Sequence, residues 1–449
     1  MRQTFSIKEK INSLVVVLLP IIITQLSLVS TGFFDTVMAG NVSGIALAGV
    51  AIGVNLWMPI LNGSIGIISG LTPIISQLYG AKEEEKIINV VIQGLYVATI
   101  LTVLIIIGQI FVVDSIIASM NLEYEVEHTA KGFLQAISCG ILPLFFAIVM
   151  RNFIDSLGKT RVTMLITILA VPFNILMNYL FIFGKCGFPE LGGIGAGVGS
   201  AITYWFMAIM NIVVLLKLKP FTDYLKYQKH YKPNIQLWKE QIKIGLPIGI
   251  AIFCEVSIFA AVALFMAEYG TAVIAAHQAA ITFAALVYMI PISISMALTI
   301  IIGFEVGAKR FKDAVEYTYL GIGIAVFFSV IFGLIFYAFN ENIALLYTKE
   351  IAVFNLIKTF LIYAIFFQLS DAINAPIQGA LRGYKDVNIT LIMAIISYWI
   401  VGLPVGYILA KLCNFGPYGY WLGLIGGLAV SAVALSFRLK FIQKQKAGW

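Results

Sequence analysis

The sequence predicts an all-α polytopic membrane protein, with twelve transmembrane helices in two pseudo-symmetric six-helix bundles. Three observations carry that prediction. Of 449 residues, 60% are hydrophobic and 11% charged, against about 25% charged in a typical soluble chain. Apolar runs of roughly 20 residues, the length that crosses a bilayer as helix, recur from end to end. Short motifs also repeat at a spacing of about half the chain.

Taken in order, the apolar runs place spans at 13–39, 46–75, 87–113, 132–152, 161–184, 194–216, 244–267, 272–303, 315–339, 352–377, 387–411 and 418–437. The opening MRQTFSIKEKIN is polar and basic. The run after it is too long for a cleavable signal and continues as a span. Several runs exceed a bilayer of about 30 Å, so tilts or kinks are expected. Pro20, Pro59, Pro143, Pro172, Pro247, Pro291 and Pro404 are the kink points. Cys139, Cys186, Cys254 and Cys413 lack CxxC or metal-ligand spacing and read as small apolar fillers.

Orientation follows from the basic residues. The termini and the even-numbered loops together hold 24 of the 29 Lys and Arg residues. The other side keeps only Lys131, Lys185, Lys349, Lys358 and Lys411. The positive-inside rule therefore puts both termini in the cytoplasm, and the net charge of +7 reflects loops and not nucleic-acid binding.

The chain repeats itself. QLYGAK recurs as FEVGAKR, which sets Gly80 over Gly307, and the same offset sets Leu19-Pro20 over Leu246-Pro247. SLGKTR recurs in outline as LRGYKD, aligning Gly158 with Gly383 at an offset two positions shorter. The expected organisation is an N-terminal bundle (1–216), a basic cytoplasmic linker (217–243) and a C-terminal bundle (244–449). With six spans each, both halves enter from the same side and form parallel repeats, a plan suited to alternating access.

Three acids stand well inside apolar spans: Asp35, Glu255 and Asp371. Glu255 lies twelve residues after Lys243, roughly 18 Å along a helix, and Asp371 eleven before Arg382, roughly 17 Å. The two carboxylates thus share one depth near mid-membrane, while Asp35 sits near the outer end of span 1. Carboxylates are costly in hydrocarbon and point to function. Two at one level either share a proton or hold a cation such as Na⁺ with neighbouring oxygens; Glu255 and Asp371 are its expected ligands.

Asn174 and Asn178 lie four apart, on one face of span 5, and line a polar cavity near Asp35 or act as interhelical glue. Tyr204, Gln278, Gln368 and Phe367 complete the expected cavity lining. Tyr204, Trp205, Phe33, Phe34 and Tyr288 offer faces for an aromatic cation. His277 in AAHQAA reads as a packing residue. The chain has no Walker A, HExxH, GxSxG or Rossmann fingerprint, so direct use of ATP is not expected.

LPIIITQLSLVSTGFFDTVMAG (19–40), QLYGAK, FGKCGFPELGGIGAGVGSAITYW (183–205), CEVSIFA, AAHQ and DAINAPIQGALRGYKD (371–386) resemble the multidrug and toxic compound extrusion (MATE) transporters, the NorM-like branch above all. The resemblance spans the whole chain in order. It implies two six-helix bundles around a V-shaped cavity and export of organic cations in exchange for Na⁺ or H⁺. It also implies coupling roles for Asp35, Glu255 and Asp371. The tyrosine that this pattern has one turn before the second acid is Phe367 here, which removes a potential oxygen ligand. The DinF-like branch has an aspartate in the fifth helix, where this chain has Asn174 and Asn178.

The expectation is a multi-pass protein of the cell membrane, monomeric, not an enzyme, without a cofactor beyond its coupling ion. It takes cationic or amphipathic small molecules and no nucleic acid. A lipid-linked glycan flippase is one rival and would need a cationic cavity for pyrophosphate. A membrane-embedded prenyl or glycosyl transferase is the other and would need a DxD or DDxxD cluster.

Overall fold

The structure is a computed structural model and describes residues 3–120, 122–227, 231–348 and 350–447. Lys349, named above, lies outside the described residues, as do Arg2, Lys229 and His230. Among the described residues, twelve helices are long and apolar enough to cross a membrane. They are α1 (Ile7–Gly40), α2 (Gly44–Gly80), α3 (Glu84–Ser119), α4 (Tyr124–Ser156), α5 (Thr160–Ile182) and α6 (Gly193–Lys217). The second set is α7 (Ile235–Tyr269), α8 (Thr271–Gly307), α9 (Phe311–Ala338), α10 (Ile351–Gly383), α11 (Asn388–Leu412) and α12 (Tyr418–Lys446).

Local signals set their ends. SIKE starts α1 as a capping box: the Glu9 amide donates to Ser6 Oγ (3.2 Å) and the Ser6 amide to Glu9 Oε2 (3.4 Å), which also accepts from the Phe5 amide (2.8 Å). Ser43 caps α2 by accepting from the Ala46 amide (3.0 Å). Asn234 caps α7 through the Gln236 amide (2.9 Å). Pro20, Pro59, Pro143, Pro172, Pro247, Pro291 and Pro376 lie inside helices. Span 11 contains two π-helical stretches, Ile395–Gly402 and Ile408–Leu412, which apolar periodicity does not announce.

The repeat holds to the residue. The offset that sets Pro20 over Pro247 also carries both ends of α2 onto the ends of α8, and both ends of α4 onto those of α10. Four helix ends close on one motif, with a left-handed residue at Lys82, Gly158, Lys309 and Lys385 (φ 60°, 75°, 59° and 62°). The following amide in each case bonds back five residues, as Glu83 to Leu78 and Arg310 to Glu305 (both 2.9 Å). Lys82 pairs with Lys309, and Gly158 with Lys385. This corrects the alignment of Gly158 with Gly383: the turn geometry, not the glycine, is what repeats.

The chain divides into two compact units, 19–246 and 1–18 with 247–449, called here the first and second lobes. Their limits therefore fall inside α1 and α7, at Leu18/Leu19 and Leu246/Pro247, the Leu-Pro repeat itself. Segment 1–18 groups with the later helices and 217–243 with the earlier ones, a different partition from bundles bounded at 216 and 244. In the first lobe α4 is central, packed by α2, α3 and α6; in the second, α10 packs on α8, α9 and α12. Close approach requires glycine at Gly379, where a Cβ would fall 2.2 Å from the Ser295 carbonyl oxygen of α8.

Candidate functional site

In the first lobe, α1, α5 and α6 converge on Asp35. Asn178 Nδ2 donates to Asp35 Oδ1 and to Asn174 Oδ1 (3.1 Å). Ser200 Oγ donates to Asp35 Oδ2 (3.2 Å). The four-residue spacing expected to put Asn174 and Asn178 on one face does so. Both are wholly buried, and Asn174 Nδ2 and Asn178 Oδ1 find no hydrogen-bond partner among the described residues. Gly199 makes room for this arrangement, since a Cβ there would lie 2.2 Å from Asn178 Oδ1.

A cavity of about 290 Å³ opens beside Asp35, lined also by Trp57, Asn174, Ser200, Tyr204 and Arg151. Its walls are mostly apolar, with polar groups at a few points, the pattern of a small-molecule pocket. Arg151 lies 3.5 Å from Asp155, and Thr163 Oγ1 donates to Asp155 Oδ1 (2.6 Å). Thr160, Thr163, Thr167, Asn174 and Asn178 form a buried polar stripe along α5, from this ion pair to Asp35. The inventory of three interior acids missed Asp155. Its signal was available as an i, i+4 pair with Arg151.

In the second lobe, α7 carries Glu255, α8 Tyr288 and α10 Asp371. Tyr288 Oη donates to Glu255 Oε1 (3.1 Å). Asp371 is 3% exposed. Among the described residues no hydrogen-bond donor reaches it, and the Glu255 carboxylate is the charge that acts on it.

Arg382 is more than the edge marker used to measure depth. Its Nη2 donates to Gln378 Oε1 (3.3 Å), its Nε is buried without a partner, and Glu255 and Tyr288 act on its charge. The interior charges are therefore not acidic alone, because Arg382 and Arg151 accompany them. A buried charge is costly unless its hydrogen-bonding capacity is met. The orphaned Nε marks a place where it is not.

The other predicted residues separate. Gln368 is buried, with Nε2 donating to the Ala284 carbonyl and Oε1 unpaired. Phe367 is buried edge-on against Phe259 and Trp421, with ring centroids 5.8 and 6.4 Å apart. Gln278 is exposed on α8, and no contact joins it to the carboxylates among the described residues. His277 packs between Phe360 and Trp421 (6.3 and 5.6 Å), with both ring nitrogens unpaired. Ser200 was missed although it stands one turn before Tyr204, on the same face of α6. No three His, Cys, Asp or Glu side chains converge among the described residues, so any cation here depends on neutral oxygens as well.

Comparison with known proteins fits this architecture. The MatE family profile matches twice, at residues 20–180 and 247–408, so its two copies begin at Pro20 and Pro247, the prolines that the internal repeat superposes. The chain is 53% identical over 445 residues to the probable multidrug resistance protein NorM of Bacillus licheniformis, covering 99% of this chain and 98% of that one. It is 51% identical over 445 residues to the protein of the same name from Oceanobacillus iheyensis, covering 99% and 100%. The fold superposes on the crystal structure of the Vibrio cholerae MATE transporter VcmN in its bent form, with a TM-score of 0.87 at 17% identity and 98% of each chain covered. On the strength of the twofold profile match and these full-length relatives, the chain belongs to the MatE family of membrane transporters.

Proposed function

We propose that this transporter is a secondary multidrug antiporter of the cell membrane. It exports cationic or amphipathic small molecules in exchange for Na⁺ or H⁺ by alternating access, acts as a monomer and needs no other cofactor. Both termini face the cytoplasm in this reading, which the distribution of 24 of 29 basic residues supports.

The observation that carries the coupling is Asp371, 3% exposed, without a donor among the described residues, in the same lobe as a second intramembrane carboxylate, Glu255. In a low dielectric such a pair has to be neutralised by a proton or a cation. A group that must gain and lose a positive partner can bias a two-state protein by its differential affinity for that partner. The relatives named for multidrug resistance support the substrate class, and so does the mostly apolar cavity beside Asp35.

Efflux of ethidium from energised vesicles, with Na⁺ and pH gradients imposed separately, tests the reading. One gradient or the other is expected to drive efflux, and the double variant Glu255→Gln, Asp371→Asn to abolish the response. Efflux of undiminished rate in the double variant would sink it. The transferase rival is set aside by membership of a transporter family. The flippase rival needs a net cationic cavity, whereas Arg151 is paired with Asp155.

A further inference from the structure

We propose that Arg151 is a specificity-determining residue of the first-lobe cavity, where its guanidinium donates to a neutral acceptor oxygen, an ester or amide carbonyl, of the transported cation. The assignment rests on the reading above, in which this cavity receives substrate, and names what the cavity selects.

Arg151 stands five residues before the end of α4 at Ser156. Its side chain is 20% exposed and lines the cavity with Trp57, Thr163, Asn174 and Asn211. Asp155, one turn further along the same helix, lies 3.5 Å from Arg151 Nε and is held on its other side by Thr163 Oγ1 (2.6 Å). That contact uses the Nε edge of the guanidinium. Among the described residues Asp155 is the only polar partner of Arg151. The two Nη groups, with four of the five N–H donors of an arginine, are left to the cavity. The helix itself does not call for a cation here. At the offset that sets Pro20 over Pro247, the second-lobe counterpart of Arg151 is Gln378, a neutral side chain that accepts from Arg382.

The chemistry of the occupant follows from charge and from the balance of donors. Asp155 already neutralises Arg151, so a second anion would be buried without a counter-charge, whereas a neutral oxygen adds none. A hydrogen bond from a charged donor to such an oxygen is still roughly twice as strong as a neutral one. The rest of the wall is also short of acceptors. Trp57 Nε1 and Asn174 Nδ2 are donors without a partner among the described residues, against one orphaned acceptor, Asn211 Oδ1. All three residues are buried. A ligand that brings oxygens complements this wall, and Asp35 supplies the acid that balances its positive charge.

Three dyes built on one bis(dimethylamino)xanthylium cation test the assignment. Tetramethylrosamine carries a bare phenyl ring, tetramethylrhodamine methyl ester adds a neutral ester to that ring, and tetramethylrhodamine free acid has a carboxylate in its place. Dissociation constants are read by fluorescence anisotropy on the purified full-length protein in detergent. The wild type is expected to bind the ester roughly tenfold more tightly than the rosamine, the effect of one hydrogen bond from a charged donor. The free acid should bind no more tightly than the rosamine. The double variant Arg151→Met, Asp155→Asn strands no charge and keeps an acceptor for Thr163, and in it the preference for the ester should vanish. Arg151→Lys keeps the pairing with Asp155 but loses the fork of donors. It should shrink the preference, and it serves if the double variant does not fold. Equal binding of ester and rosamine by the wild type would overturn the assignment, as would a preference that survives in the variants. A free acid bound more tightly than the ester would overturn the neutral character of the acceptor. Ile65→Trp, which fills the cavity from α2, separates the two levels. If it weakens both dyes while the ester preference ignores Arg151, only the assignment of Arg151 fails. If it leaves both dyes bound as in the wild type, the reading of this cavity as the substrate site fails as well.

Discussion

Asp35 and Asp371 are both aspartates on membrane-spanning helices, yet they stand in opposite surroundings. Asp35 is half-buried and accepts from Asn178 and Ser200. Asp371 is almost fully enclosed, accepts from no described residue and shares its lobe with Glu255. The repeat makes the contrast sharper. At the offset that sets Pro20 over Pro247, the second-lobe partner of Asp35 is Val262, and the first-lobe partners of Glu255 and Asp371 are Leu28 and Leu144. Where the first lobe has Asp155 the second has Arg382. Helix ends and left-handed turns are held in common because chain geometry constrains both copies alike. Side chains that face a cavity carry no such constraint, and there the copies have taken different chemistry.

If the second lobe carries coupling and the first carries substrate contact, single substitutions should separate the two. Asp371→Asn is expected to reduce ion-driven ethidium efflux by on the order of a hundredfold, the upper end of typical coupling energies. Asp35→Asn retains an oxygen that can accept from Asn178 or Ser200, and is expected to cost about tenfold while leaving the Na⁺ response of the melting temperature in place. Equal losses of both drive and Na⁺ response in the two variants would break the division of labour.

A smaller effect isolates the hydrogen-bonded carboxylate from its charge. A methyl at Gly199 meets Asn178 Oδ1 at 2.2 Å, so Gly199→Ala must displace Asn178 and weaken its bond to Asp35. An orphaned polar group of this kind costs about 1–3 kcal/mol, and ethidium affinity should fall roughly tenfold or less. Gly426, in the second lobe, has nothing within 4 Å of its would-be Cβ. Gly426→Ala is therefore the matched control, expected to transport as wild type. Binding isotherms that coincide for the two variants would show that Asn178 does not hold Asp35 in its working geometry.

How much of this was readable in advance depended on which force set each feature. The twelve spans follow from desolvation of a backbone that must satisfy its own hydrogen bonds in lipid, and apolar run length reports that directly. The Leu-Pro repeat was visible too, and it falls where the two lobes divide. The Gly158 alignment was displaced by two positions because Lys385 adopts the left-handed turn that glycine was assumed to mark. Ser200 and Asp155 carried an i, i+4 signal that went unread. The π-helical stretch after Ile395 carried none, because no apolar period records it. Arg382 was read as a boundary because a basic residue near a helix end usually is one.

The last comparison concerns how each lobe holds the segment that starts the other's first long helix. In the second lobe the grip is ionic. Lys10 Nζ donates to Asp313 Oδ1 (2.6 Å) and also to Glu316, with a side chain only 5% exposed. Thr4 and Tyr317 hydroxyls lie 3.1 Å apart beside it. In the first lobe the grip is neutral. Gln93 Oε1 accepts from the Asn234 amide (2.9 Å) and from Trp238 Nε1 (2.8 Å), and its Nε2 donates to the Lys232 carbonyl (3.0 Å). Helices α9 and α3, which receive the two segments, are equivalents in the repeat, so the same mechanical task is done by charge in one place and by an amide in the other. Lys10→Gln removes the charge that bridges Asp313 and Glu316, leaving Asp313 with Arg310 at 3.8 Å and Glu316 to solvent, and Gln93→Leu strands two donors and a carbonyl; the first should cost about 1 kcal/mol and the second about 1–3 kcal/mol. Both melting temperatures should drop by a few °C, at roughly 2–4 °C per kcal/mol for a chain of this order. Salt distinguishes them. Glu316 is 55% exposed, so part of the Lys10 attraction is screened when the Debye length falls to about 3 Å at 1 M salt. Melting in 0.1 M and 1 M choline chloride, which avoids the coupling ion, should show the Lys10→Gln deficit narrowing at high salt and the Gln93→Leu deficit holding constant. Deficits that respond to salt alike would mean that the ionic grip contributes no more than its hydrogen bonds do.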